Sequence, residues 1–423
     1  MNAETNKSAD SQPTSKTTLT INFGVEGNCE ESVAAGWSSP ERGFRWMTEV
    51  ESELRLDQRF VDGDYILELD LSPFVRPPKL PSQRLTVSVN GIAIGESTLA
   101  QSGRFGYRIP AAALAGRHTT SVVLTHPDGG RPSDFPPEQD GRLLSVAAGR
   151  LRMSRVRHGA SHQQINGTGG IPRSELVRVV NMTPERFMYN FESLGENCEF
   201  GLVQRFCGAE PFLSLLRFAS MGLPTLLRAL DVGFQDFSED ANIELHPEGE
   251  GRRELGVFEK RYGVQFHTFR YQGEVDEEQL RASEAKRLAY CARLLVRDLK
   301  RGNKIFVVKR NVALREEEIL PLYAALSAYG RNDLLWMVPS DAEHASGSVE
   351  VVLPGLFKGY IARFAPIEDA YDLTLDAWLE VCANAYKLSL ADRMAARMGP
   401  ESTTWQVQTP TPTPEPVNSP GIG

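Results

Sequence analysis

At 423 residues the chain is longer than one ordinary domain, and 41% hydrophobic with 24% charged residues supply enough apolar side chain for two cores. A formal charge of −9 and a pI near 5.5 argue against nucleic acid as a main partner, because phosphate binding needs a basic surface. Five cysteines, Cys29, Cys198, Cys207, Cys291 and Cys382, are too sparse and odd in number for a disulfide scaffold and fit a reducing compartment.

The opening MNAETNKSADSQPTSK is polar and lacks the apolar stretch of a secretory signal, and no run reaches the roughly 18 apolar residues of a membrane span. The expectation is a cytoplasmic protein with no integral membrane segment, with residues 1–16 as a disordered tail.

From 17 to 150 short alternating runs follow one another: TLTINFGV, SELRLDQRF, DYILELDL, QRLTVSVN, IAIGEST, GYRIP and TSVVLTH. Gly, Pro and Asp turns separate them, and Asn90-Gly91 sits between two alternating runs as a two-residue hairpin turn. The pattern predicts an antiparallel β-sandwich. Its segments GWSSPERGFRW, PPKLPSQRLTVSVNG and LTHPDGGRPSD resemble β-sandwich modules found beside bacterial glycan-assembly enzymes. That resemblance implies a carbohydrate- or partner-binding module in which Trp37 or Trp46 offers a flat face to a sugar and Glu41, Arg42 and Arg45 orient it. The competing reading makes both tryptophans plugs of the sandwich core.

Residues 151–185, including RVRHGASHQQINGTGGIPRSE, lose periodicity and gain Gly, Ser and Arg, which predicts a linker. From 186 to 390 the pattern alternates strands with helices. FES is followed by a tight turn and a helix through Val203, then a helical stretch near 223–230 and a β-rich patch at 242–269. A helix over 277–301 is bounded by Asp276 with Gln279 and by Gly302. KIFVV, a helix near 315–328 with three glutamates in its first turn, LLWMV, VEVVLPG, KGYIARF and a helix at 374–388 complete an α/β domain with a mostly parallel sheet. Residues 391–423 end in TPTPTPEPVNSPG and predict a Pro-rich disordered tail.

In a parallel sheet, ligands bind beyond the carboxyl ends of the strands. Cys198 follows the first strand, His267 ends the strand that begins near Tyr262, Asn311 follows KIFVVKR, and Asp341 follows LLWMVPS. If these strands are parallel neighbours, all four residues share one edge. Cys198 opens a helix, where unpaired N–H groups and the macrodipole favour a thiolate. The roles assigned are Cys198 as nucleophile, His267 as base and acid, Asn311 or Asp341 as orienter of the imidazole, and the Cys198 N–H with Asn197 as oxyanion donors. Glu196, Glu199, Gln204, Arg205, Arg217 and Asp341 are candidate substrate-binding residues. Each role has a structural rival: a buried small hydrophobe for Cys198, a core histidine between Phe266 and Phe269, a helix cap for Asn311, a dipole-complementing carboxylate for Glu199.

The runs SLGENCEFG, VQFHTF at 264–269 and KIFVVKRN at 304–311 resemble a bacterial family of unknown function described as papain-like cysteine peptidases. The likeness spans roughly 186–388 and rests most specifically on the SLG-x-x-C turn. It implies a Cys/His hydrolase or acyl transferase acting on a peptide, acyl or glycan-type substrate without a cofactor or metal. A noncatalytic protein binding a glycan or nucleotide-sugar in surface polysaccharide biosynthesis is the alternative, and a metal-independent glycosyltransferase is a remote third.

Overall fold

The computed structural model describes residues 17–159, 163–210, 213–251 and 253–398. The expected tails at 1–16 and 399–423 lie outside them. Eleven strands build the first part: β1 (Thr18–Asn22), β2 (Val33–Ala35), β3 (Trp37–Glu41), β4 (Phe44–Met47), β5 (Glu51–Leu56), β6 (Tyr65–Pro73), β7 (Gln83–Val89), β8 (Ile92–Leu99), β9 (Gly103–Ile109), β10 (Thr120–Thr125) and β11 (Val146–Arg155). One four-residue helix, α1 (Ala111–Leu114), interrupts them.

They form a β-sandwich. One sheet runs β3-β4-β11-β6-β9 with β1 also on β11, the other β2-β5-β10-β7-β8, and every pairing is antiparallel. Alternation decides which side chains face inward: Leu85, Val87 and Val89 of β7 meet Leu67, Leu69 and Leu71 of β6 in one core. The β7–β8 turn is at Asn90-Gly91, both with positive φ (50° and 81°), as the hairpin pattern requires.

The second part runs β12 (Gln164–Ile165), α2 (Arg173–Val180), α3 (Pro184–Met188), β13 (Phe191–Ser193), α4 (Glu199–Phe206), β14 (Ala219–Ser220) and α5 (Leu223–Asp231). It continues through β15 (Ile243–Glu248), β16 (Glu254–Glu259), β17 (Val264–Phe266), α6 (Glu277–Arg301), β18 (Ile305–Val308), α7 (Glu316–Ser327), β19 (Asp333–Pro339), β20 (Val349–Leu353), β21 (Leu356–Ile361) and α8 (Leu375–Met398). Its larger sheet has the order β12-β20-β21-β19-β18-β13. Pairing is parallel from β13 through β18 and β19 to β21, and antiparallel where β20 and β12 are added. β18 shows why such a strand reads as an unbroken apolar run: Phe306 and Val308 pack with α6 and α7, while Ile305 and Val307 pack with α4 and α8 on the opposite face. α6 begins where Asp276 accepts the Gln279 N–H at 2.9 Å and stops at left-handed Gly302.

Two expected boundaries move and one strand changes sheet. The described residues of 151–185 do not form a linker. β11 extends to Arg155, β12 joins the larger sheet, and α2 packs on α8. Its polar residues are consumed by buried partners: Arg157 pairs with Asp333 and Asp392, and Thr168 bonds Glu380. Periodicity cannot register contacts of that kind. Residues 391–398, expected in a tail, continue α8, where Asp392 is buried against Arg157 and Arg331. The strand leading to His267 is not in the parallel sheet at all. β17 belongs to a separate antiparallel sheet, β14-β17-β16-β15.

The sandwich and the second part share a packed face. β6 is covered on its outer side by α7, so Ile66 joins the core of the second part while its neighbours Tyr65 and Leu67 stay in the sandwich core. Contact with β9 is close enough that only glycine fits at 106. A Cβ there would lie 2.7 Å from Pro321 Cδ and 2.8 Å from Leu320 Cβ. At the edge of this face Arg104 and Arg150 each bridge Asp70 of the sandwich to Asp231 at the end of α5.

Glu68 lies on the same covered face, 3% exposed, with Arg152 3.9 Å away and no hydrogen bond to either carboxylate oxygen among the described residues. Burial pushes its carboxyl up to about 7, against the attraction of Arg152, Arg104 and Arg150. A raised carboxyl pKa means the folded state holds the proton more tightly, so this contribution is full below about 4.5 and lost as pH rises through about 7. Glu68→Gln is therefore expected to stabilise the protein by roughly 1–3 kcal/mol at pH 8 and to change little at pH 4.5, read from urea unfolding at both pH values. Gly106→Val should cost roughly 1–3 kcal/mol at either pH by forcing α7 off β9.

Candidate active site

The chain leaves β13 at Ser193, turns through Leu194–Asn197 with Gly195 at positive φ, and enters α4 with Cys198 at the N-cap position. The side chain that fixes this turn is Glu199. It is fully buried, accepts the Trp378 Nε1–H at 2.9 Å and lies 3.3 Å from Lys309 Nζ just beyond β18. Asn197 caps the same turn: its Oδ1 accepts the Glu199 N–H at 3.1 Å and its Nδ2 donates to Asn311 Oδ1 at 2.7 Å. Glu196 accepts the Asn311 N–H at 3.0 Å.

Opposite the turn stands the end of β17. His267 shares the cavity with Cys198, and its Nδ1 lies 3.3 Å from Glu254 Oε2. Glu254 is itself held, because its Oε1 accepts the N–H groups of Thr268 and Phe269 at 3.0 and 2.8 Å. Interaction with the Cys198 thiol does most to raise the His267 pKa to about 9; desolvation opposes it, and the charges of Cys198 and Glu254 reinforce it. The imidazole is therefore protonated at neutral pH.

Cys198 and His267 line a cavity of about 380 Å³ whose third wall is the segment 365–371 beyond β21. Leu202, Phe266 and Ala365 give it an apolar floor, and Phe269, Ile367 and Tyr371 stand exposed at its rim. Apart from His267, every charged side chain lining it among the described residues is a carboxylate: Glu196, Glu199, Glu248, Glu254, Glu368 and Asp369.

The expected constellation is rearranged in its outer members. Asn311, the favoured orienter, bonds Asn197 rather than His267, and Asp341, the alternative, accepts from the backbone of Glu343 and His344 and from His344 Nδ1 in an exposed loop. The carboxylate at the imidazole is Glu254. Asn197 has both ends of its amide engaged, which leaves the Cys198 N–H, without a partner among the described residues, as the donor facing the turn. Gln204 and Arg217 are buried together beneath α4, joined at 3.0 Å. Arg205 stands behind the cleft, over the rings of Phe218 and Phe269 at 4.8 Å each, and donates to the Tyr371 hydroxyl, so it braces two wall residues. Glu199, on the cavity wall, turns its carboxylate to Trp378 and Lys309 and anchors the turn. Cys29, Cys207, Cys291 and Cys382 are buried, and burial pushes the last three thiols up.

Glu254 carried no signal in the sequence. Past the β16–β17 ladder it bridges Tyr271, and the left-handed turn at Phe269 brings it back beside His267. In the sandwich, Trp37 stacks on Phe23 at 4.9 Å and donates to the Glu53 carbonyl, the plug arrangement, and Arg45 is tied to Ser38, Glu30 and Cys29. Trp46 is different. It lines a cavity of about 590 Å³ between the sandwich and α5, beside Asp70, Ser72 and Arg228.

No protein-family model matches the chain, and no curated protein matches it, so the resemblance to papain-like peptidases gains nothing from these comparisons. Among solved structures, part of the chain is similar to a 4-O-methyl-α-glucuronidase of glycoside hydrolase family 115, BtGH115A, at 13% identity over 37% of this chain and 19% of that one, with a TM-score of 0.22. It is also similar to a CBM36 domain of a xylanase from the hindgut metagenome of Trinervitermes trinervoides (11% identity, 33% of this chain, 99% of that one, TM-score 0.22). A third is the C-terminal CBM6 of LamC from Zobellia galactanivorans (13%, 33%, 99%, 0.21).

The His267 resonance is expected to titrate near pH 9 by NMR, well above the ordinary 6.5. Since the folded pKa is raised, the stability it contributes is complete below about 6.5 and disappears as pH rises through about 9. Cys198→Ala should lower the midpoint more than Glu254→Gln, in the order of their contributions.

Proposed function

We propose that the chain is a cysteine-dependent hydrolase or acyl transferase with Cys198 as nucleophile, His267 as acid and base, and Glu254 as the group that positions the imidazole. The observation that carries this reading is that Cys198, at the start of α4, and His267 line one cavity, with Glu254 at Nδ1 of the imidazole. With Nδ1 turned to Glu254, Nε2 is the ring nitrogen left to serve the sulfur. A thiolate at Cys198 attacks the acyl carbonyl, forming a C–S bond, and the oxyanion is met by the Cys198 N–H at the start of α4. His267 gives its proton to the departing amine or alcohol as the C–N or C–O bond breaks. The neutral imidazole then takes a proton from water, which attacks the thioester carbonyl and expels the Cys198 thiolate, restoring the starting pair. The carboxylate-lined cavity with its apolar floor favours substrates that pair a positive charge with an apolar stem.

The direct test is labelling of Cys198 by methanethiosulfonate reagents of different charge, resolved by mass spectrometry. Each forms a mixed disulfide and releases methanesulfinate. His267→Ala should slow all of them at pH 7, and the trimethylammonium reagent should outpace the sulfonate one by about tenfold or more relative to a free thiol. A Cys198 that labels no faster than a buried thiol, with no dependence on His267, would remove the covalent mechanism.

A second reading rests on Trp46. Its place in a cavity with carboxylate, hydroxyl and guanidinium neighbours fits a sugar stacked on the indole, in a noncatalytic glycan- or nucleotide-sugar-binding protein. Glycan-array binding that survives Cys198→Ala and is lost in Trp46→Ala is the outcome expected from it.

A further inference from the structure

A second cavity, of about 470 Å³, lies between the β8–β9 loop of the sandwich and the second part, where Ser102 and Gln101 face Leu223 and Pro224 at the start of α5 and the segment Arg310–Arg315. Arg310 is its unusual residue. It is 6% exposed, donates from Nη1 to the Met221 carbonyl, and has no hydrogen-bond partner at Nε or Nη2 among the described residues. The other guanidinium groups of the cavity wall are engaged: Arg104 with Asp70 and Asp231, Arg315 with Glu317 and Glu318. A buried guanidinium with two unpaired N–H directions is costly unless an acceptor reaches it. The same wall holds the N-terminus of the nine-residue α5, capped by no side chain, where the backbone N–H of Leu223 and Thr225 and the macrodipole favour an anion. Glu196, on the wall shared with the Cys198 cleft, has one carboxylate oxygen taken by Asn311 and makes no ion pair with Arg310.

We propose that this cavity binds the phosphoryl group of a small molecule, with the Arg310 fork and the α5 N-terminus as its two anchors and the β8–β9 loop as its lid-side wall. Nε and Nη2 are closed to solvent, so the proposal includes a rotation of the guanidinium that turns its edge toward two phosphoryl oxygens. Cavities of this size between packed units hold ligands larger than one ion. The sandwich thus contributes part of a binding site and is more than an appendage. Arg310 also has its pKa held down by burial, the sign of a cation short of partners.

The test is calorimetric titration of the full chain with inorganic phosphate, with ADP and with adenosine, at fixed ionic strength. Phosphate or ADP should bind and adenosine should not. ADP binding more tightly than phosphate would identify a phosphorylated small molecule as the occupant, and equal affinities would identify free phosphate. Arg310→Met should weaken binding about tenfold or more, with fold integrity checked by circular dichroism. Should that variant fail to fold, Ser102→Glu, on an exposed loop residue, places a carboxylate at the mouth and should abolish binding. No heat from either phosphate ligand at millimolar concentration, or affinities unchanged in both variants, would overturn the proposal. The readout needs no turnover, so it stands or falls separately from the Cys198 chemistry.

Discussion

The geometry of the cleft depends on one buried carboxylate. Glu199 ties the first turn of α4 to Lys309 at the end of β18 and to Trp378 of α8, so the Cys198 turn is fastened to both a strand and a helix of the second part. A buried ion pair of this kind is weak evidence for net stability, but removing either partner leaves an uncompensated charge at a cost of about 3–5 kcal/mol. Its value here is positional. The proposed nucleophile sits on a turn whose backbone is held firmly, and the Asn197 side chain completes the fixation by bridging to Asn311.

Cys198 and His267 come from different sheets. Cys198 is delivered by the parallel sheet, at the carboxyl end of β13 where such sheets place their ligands, and His267 by the end of a short antiparallel strand. The cleft is the seam between these layers, closed by the segment after β21. Such a site can be tuned by small relative shifts of the two sheets, because each group is rigid within its own layer: Cys198 through Glu199, His267 through Glu254 and its two backbone N–H bonds.

The sandwich is joined to this machinery by a close face and not by a flexible tether. Gly106 against Pro321 and Leu320, the Asp70–Arg104–Asp231–Arg150 cluster and Arg157 on Asp333 all cross the junction or its approach. Cavities lined from both sides are a direct consequence.

The sequence by itself determined the local elements, because their signals are local: alternation in the sandwich strands, Asn90-Gly91 at a turn, Asp276 and Gly302 bounding α6, the unbroken IFVV of β18, and Cys198 at the start of a helix. It also singled out Cys198 and His267, which the fold brings to one cavity. Only tertiary structure decided the remainder. Which carboxylate meets the imidazole depends on a hairpin register and a left-handed turn at Phe269, neither of which distinguishes Glu254 from the chain's other acids. The described residues of the supposed linker at 151–185, and 391–398 of the supposed tail, are packed because Arg157, Thr168 and Asp392 find buried partners far away in the chain. Side-chain pairing over such separations leaves no periodic mark, since it is set by where folded surfaces meet.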